Sequence, residues 1–291
     1  QQGRQARQAG QGRVNLLAFI GALLALGAAT GFAAGLLGVG GGMLLVPFLT
    51  MLLTARGLPL EHVVHMALAT SLATILFTSV SSLRAHDTQG AVRWDIVRPL
   101  APGILVGSLV GAQIAGALPT AVLALLFALF VSVSATQMLL DRKPSPHRDL
   151  PGAAGLFGVG TCIGGFASLV GAGGGFISVP FMLWCNVRMH QAVGTSAALG
   201  FPIAAAGTLG YVISGLRESG IRTCSAATMP DCSVGFIYLP ALLAVATTSM
   251  VFAPLGARAA HTLDSRSLSR IFALLLYLLA GYMLYKGVRT L

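Results

Sequence analysis

Long stretches of this 291-residue chain contain no Asp, Glu, Lys or Arg: Val14–Ala55, His62–Leu83, Pro99–Leu140, Gly152–Val187, Met189–Leu216 and Ser233–Ala257. A helix needs roughly 20 apolar residues to cross a bilayer core, so these windows hold several crossings, and some hold more than one. A large soluble core would leave polar faces on its outer helices, and the windows show none. With 55% hydrophobic and 9% charged residues, the chain reads as an all-α integral membrane protein.

Two of the windows are interrupted in the same way. Gly38-Val-Gly-Gly-Gly-Met-Leu-Leu-Val-Pro-Phe48 recurs as Gly171-Ala-Gly-Gly-Gly-Phe-Ile-Ser-Val-Pro-Phe181, with seven of eleven positions identical at a shift of 133 residues. Irregular backbone at membrane depth is tolerated only where protein buries it or where it lines a wet cavity. A duplicated helix break of this kind points to a transport site.

The halves match beyond the motif. Gly31 pairs with Gly164 and Pro47 with Pro180; His65…Thr70-Ser71 pairs with His190…Thr195-Ser196 at a shift of 125, and Gly111-Ala112 with Gly256-Ala257 at a shift of 145. Drift in the shift reflects loops of unequal length. The chain therefore divides into a basic tail (1–13), a first membrane repeat (14–140), a charged, proline-rich linker (141–151) and a second membrane repeat (152–291). Each repeat reads as five segments, eight to ten in total, with helices broken at the Gly-rich motifs. The predicted helices are about 14–37, 43–55, 62–83, 96–117 and 120–140, then 152–170, 176–187, 189–215, 234–261 and 265–288. An odd number of passes per half makes the two repeats inverted. Merging each short segment with its neighbour would make them parallel, and the inverted reading is preferred. The basic linker argues for a cytoplasmic position; the basic tail argues for the same of the opposite end.

The net charge of +10 comes from 18 basic and 8 acidic residues. The basic residues fall in short loops and termini, with no basic helix face, so nucleic acid is not an expected partner. The tail, with three Arg and five Gln, reads as lacking regular structure, and no cleavable secretory signal is seen. Cys162, Cys185, Cys224 and Cys232 form no metal-ligand pattern. Cys224 and Cys232 share the longest polar loop, where either a disulfide or two unrelated thiols would fit.

Each Gly-x-Gly-Gly-Gly run directly precedes an apolar helix, whose first N–H groups have no intrahelical acceptor and whose start carries roughly half a positive charge. Glycines allow such a start to curl around a small anion, which makes Gly40, Gly41, Gly42, Gly173, Gly174 and Gly175 candidate substrate contacts. Their alternative role is close helix packing. The matched hydroxyls Thr70, Ser71, Thr195 and Ser196 could donate to an oxyanion, or simply bond back to their own helices. His65 and His190 are the titratable groups nearest them and are candidates for proton or anion coupling, although five residues of helix put His65 and Thr70 on different faces. Arg258 follows a long uncharged run and either attracts anions or snorkels to the interface. No carboxylate lies inside a predicted span, which leaves no buried acid for a cation or proton relay. No Walker loop, metal triad or nucleophile–base pair is present, so neither an enzyme nor a cofactor or metal site is expected.

At Gly38–Phe48, Gly171–Phe181, Gly194-Thr-Ser196 and Gly90…Trp94 leading to Gly107…Gly111-Ala112, the chain resembles the sulfite exporter TauE/SafE family of membrane permeases, over about Gly31 to Leu291. Ala69-Thr70-Ser71 departs slightly from the Gly-Thr-Ser form of the second copy. The resemblance implies permeation of sulfur-containing anions across a bacterial cytoplasmic membrane. The resulting expectation is a secondary transporter with alternating access, whose partners are a small sulfur oxyanion or sulfonate and the lipid bilayer. A passive anion channel and a non-transporting membrane assembly or sulfur-handling factor are the alternatives.

Overall fold

The structure, a computed structural model, describes residues 2–37, 41–58, 61–140, 150–219, 233–259 and 265–290. The described residues form ten helices: α1 (Gln2–Leu37), α2 (Gly42–Ala55), α3 (Val63–Asp87), α4 (Trp94–Ala117), α5 (Thr120–Leu140), α6 (Ala153–Val170), α7 (Gly175–Trp184), α8 (Met189–Ser219), α9 (Leu239–Ala259) and α10 (Ser265–Thr290). A two-residue hairpin, β1 (Ser233–Val234) and β2 (Ile237–Tyr238), precedes α9. The helix expected from residue 234 thus starts five residues later, after a turn at Gly235 with φ 56°. The basic tail also departs from expectation: α1 already begins at Gln2. Its Gln, Ala and Arg residues favour helix and no proline stops them. The linker residues 141–149 and both loop cysteines, Cys224 and Cys232, lie outside the described residues.

Eight of these helices are long and apolar enough to span a membrane, and α2 and α7 are shorter apolar helices. Large side chains such as Leu129, Val133, Leu243, Val251, Leu274 and Leu278 stand exposed on the outside, as a lipid-facing surface requires. Inside, glycines set the helix spacing. A Cβ on Gly27, Gly31 or Gly35 of α1 would lie within 2.5 Å of an atom of α9; one on Gly103, Gly107 or Gly111 of α4 would be equally close to the α6 backbone. Close backbone approach through small residues is the usual route to helix association in lipid.

Contacts along the helices fix their directions. Gly41, just before α2, lies beside Thr30 and Ala34 of α1, so the chain has turned back on itself. Arg56, just after α2, lies 4.1 Å from the centroid of the Phe19 ring near the start of the α1 span. Helix α2 therefore runs antiparallel to α1, from inside the bundle back to the end where the span Leu17–Leu36 begins, the near end. From there α3 runs to the far end, α4 returns and α5 crosses again. The second repeat consequently starts at the far end.

Its packing agrees. Gly27 and Gly35 meet Val245 and Ala253, so α1 and α9 are parallel; Gly103 and Gly111 meet Phe157 and Gly165, so α4 and α6 are parallel. Leu72 meets Gly207 and Ser79 meets Gly200, so α3 and α8 are antiparallel. Thr136 bonds Tyr277 while Leu125 touches Gly287, so α5 and α10 are antiparallel too. The first helix of each repeat docks on the fourth helix of the other. The architecture is two interlocked inverted repeats of five helices.

Candidate functional site

The glycine breaks meet in the middle of this arrangement. Gly41 and Gly174 take the left-handed conformation, with φ of 66° and 73°, which costs glycine nothing. Gly41 O accepts from the N–H groups of Leu44 and Leu45, and Gly174 O from those of Ile177 and Ser178. The two helix starts are thus built alike. They also touch: a Cβ on Gly42 would lie 2.4 Å from Gly171 O and 2.8 Å from Ala172 Cα. Ser71 Oγ donates to Gly171 O at 2.8 Å, pinning the second break to α3. Gly41, Gly42, Gly173, Gly174 and Gly175 are all buried, and Gly40 falls outside the described residues.

The matched hydroxyls sit in the core around these breaks, and each has a protein partner. Thr70 Oγ1 accepts from the Tyr238 N–H at 3.1 Å, and Thr195 Oγ1 accepts from the Arg93 N–H at 3.0 Å. The two acceptors occupy equivalent positions, and each secures the segment leading into the fourth helix of one repeat. Ser196 Oγ receives a bond from Ser178 at 2.9 Å, a partner the sequence did not suggest. Thr74 and Thr78 bond back to the carbonyls four residues earlier, and Thr78 also meets Ser249 at 2.7 Å.

Beside the second break is a small cavity lined by Ala34, Ile75, Thr78, Ser79, Ser82, Gly173, Ser196, Ala197 and Gly200. About 10 Å³ is open to the centre of a water-sized sphere, the room that one water needs. Ser82 was not among the sequence candidates. The signal for it lay in the helical spacing of Thr78, Ser79 and Ser82 near the end of α3.

The matched histidines are not structurally equivalent. His65 is buried; its Nε2–H donates to Leu118 O at 3.0 Å, and its ring stacks on Phe236 with centroids 5.1 Å apart. It borders a near-end vestibule of about 550 Å³ that Glu61, His62, Glu218 and Arg289 also line. His190 is exposed at the start of α8. Arg258 is exposed at the end of α9 and does not line the cavity beside Gly173. Lys286 of α10 is 6% exposed, and its Nζ donates to Thr54 Oγ1 at the end of α2. At the far end Arg93 forms a two-point pair with Asp95, which pushes the guanidinium pKa further up. Among the described residues, no group of three His, Cys, Asp or Glu side chains could hold a metal.

Comparison with known proteins places this architecture. The profile described as Sulfite exporter TauE/SafE matches residues 23–283. A "Probable membrane transporter protein" of Haemophilus influenzae is 35% identical over 273 residues, covering 93% of this chain and all of the relative. The Bacillus subtilis "Probable membrane transporter protein YdhB" is 28% identical over 65% of this chain and 77% of its own length. The Methanocaldococcus jannaschii "Probable membrane transporter protein MJ0441" is 24% identical over 90% of this chain and 94% of its own. No solved structure matches the chain. The family match runs through both repeats and both glycine breaks, and the chain belongs to the sulfite exporter TauE/SafE family.

Proposed function

We propose that this protein is an alternating-access secondary transporter of a small sulfur-containing anion, such as sulfite or an organosulfonate, in the bacterial cytoplasmic membrane. The family description and the names of the relatives support a membrane transporter. The observation that carries the finer reading is the meeting of two re-entrant helix starts. Gly42, at the start of α2, packs on Gly171 and Ala172 ahead of α7. The first N–H groups of both helices have no intrahelical acceptor, and two positive helix ends near one point favour a negative ligand.

The inverted repeats supply the means of exchange. Tilting one repeat against the other would open the centre to one end of the bundle and then to the other. Neutral donors suit an anion that must also leave, since a buried lysine or arginine contact would hold it more strongly. The coupling of transport to a proton through His65 or His190 remains part of the proposal, with His65 better placed because it borders the near-end vestibule.

Two measurements test this reading. Purified protein should be stabilised against heating by at least one of sulfite, sulfate, thiosulfate, taurine and sulfoacetate; stabilisation by none of them removes the substrate class. In proteoliposomes, internal unlabelled substrate should stimulate tracer uptake. Flux without saturation and without that stimulation indicates the passive channel instead.

A further inference from the structure

We infer that the cavity beside Gly173 is the far-end arm of the permeation path, and that Ser82 is the residue in it that reads the ligand. This rests on the transport reading above and adds to it a donor and a direction.

Thr78 has Thr74 O and Ser249, Ser79 donates to Leu76 O, and Ser196 accepts from Ser178. Ser82 is 4% exposed, lines the same cavity, and its Oγ has no partner among the described residues. A buried hydroxyl without a partner destabilises a fold, and such exceptions in a native structure ask for a reason. A ligand oxygen that comes and goes in the cavity supplies one.

At the shift of 125, Ser82 corresponds to Gly207, Ala197 to Leu72, and Thr78 and Ser79 to Ile203 and Ala204. In the near-end copy the space is filled: Leu72 Cδ1 lies 2.9 Å from the position of a Cβ on Gly207, and Ile203 Cδ1 lies 2.5 Å from that on Gly174. Buried Tyr211 bonds Ser168 O one turn further on. In the far-end copy, Ala197 is too short to reach across to Ser82, and the cavity remains. Among the described residues, the polar arm lies at the far end, and Leu72 against Gly207 fills its near-end counterpart.

The chemistry of the arm selects its ligand. The hydroxyls of Thr78, Ser79, Ser82 and Ser196 line it beside the apolar side chains of Ala34, Ile75 and Ala197, with no charged side chain, so a small acceptor-rich oxyanion gains a donor from Ser82. With room for about one water, the arm must widen between α3 and α8 before such an anion enters.

The test is a Ser82→Cys variant of the full chain, with the four native cysteines replaced by serine, reconstituted in liposomes. A membrane-impermeant methanethiosulfonate should modify it from one face, the face that modifies a cysteine placed at the far-end turn residue Gln89. Adding Ala197→Leu, which copies the near-end plug, should abolish that modification. Labelling from the opposite face, from both faces equally, or from neither overturns the inference. Labelling as expected that no sulfur anion slows leaves the arm in place and removes the substrate reading instead. A separate Ser82→Ala variant, smaller by one oxygen, should lose the thermal stabilisation by whichever of sulfite, sulfate, thiosulfate, taurine and sulfoacetate stabilises the wild type; retention of the full shift overturns the role of Ser82.

Discussion

Helices α2 and α7 begin at glycines 133 residues apart, with the same left-handed backbone and the same pair of hydrogen bonds closing the first turn. Their other ends share almost nothing. Helix α2 continues for 14 residues, and its last turn receives Lys286 on Thr54 and is followed by Arg56 over Phe19. Helix α7 stops after 10 residues and turns at Asn186, the one described non-glycine residue with positive φ. Val187 and Met189 stand where the first repeat has Thr54 and Arg56. Identical starts with unlike ends mean that the starts answer to a demand at the centre common to both repeats. The ends answer only to their own loops.

The largest effect is expected at the contact between the two starts. Gly42→Ala forces a methyl against Gly171 O and Ala172 Cα, which are backbone atoms of the other repeat and cannot rotate away. We predict a loss of about 3 kcal/mol, read as a lower melting temperature in detergent, together with loss of ligand stabilisation. Gly174→Ala should cost less, because its nearest neighbour is the tip of the Ile203 side chain and its main burden is the left-handed backbone. Equal losses at both positions would mean that the crossing of the breaks is not the constrained feature.

Next in size are the threonines that hold the fourth helices. Thr70→Val and Thr195→Val each leave one N–H, that of Tyr238 or Arg93, without its acceptor, and each should cost about 2 kcal/mol. The two losses should be similar, since the bonds occupy equivalent places. Unchanged melting with loss of ligand binding alone would assign these hydroxyls to the substrate site.

These residues also show how far the sequence could be read. The helices and both breaks were legible because charge-free windows and a repeated glycine run are local signals, and an odd count of segments per half gave the inversion. Thr70 and Thr195 were visible as a matched pair, but their partners lie 168 and 102 residues away along the chain, and no local pattern specifies a contact at that separation. The difference between the two histidines was illegible for a related reason. His65 and His190 match by position, yet only His65 has the α4–α5 turn folded over it. The spacing of Thr78, Ser79 and Ser82 puts Ser82 near a polar face of α3, but its missing partner becomes apparent only after the neighbours are in place.

The end of α7 offers a smaller test. Asn186→Ala keeps the length of the turn but loses the residue type that tolerates φ of 65°. A loss of about 1 kcal/mol is expected, and Asn186→Gly should retain wild-type stability or exceed it. Neither change should alter ligand binding, because this end lies away from the breaks. An Asn186→Ala variant that loses transport would show that the end of α7, unlike that of α2, takes part in the cycle.

The smallest expected effect is at Lys286. Its ammonium is nearly buried, and among the described residues it forms no salt bridge; its partner is the Thr54 hydroxyl, which itself donates to Thr50 O. A cation beside the last turn of α2 is favoured by the helix dipole, while its removal from water opposes that gain. The two terms nearly cancel, so Lys286→Met should lower stability by only about 0.5 kcal/mol. The informative quantity is therefore transport. If Lys286 merely secures the end of α2, exchange should keep its apparent affinity, and Lys286→Arg should behave as wild type. If Lys286→Met instead weakens apparent affinity while leaving melting unchanged, the cation acts on the anion through α2, and the unlike ends of the two helices are part of the transport asymmetry.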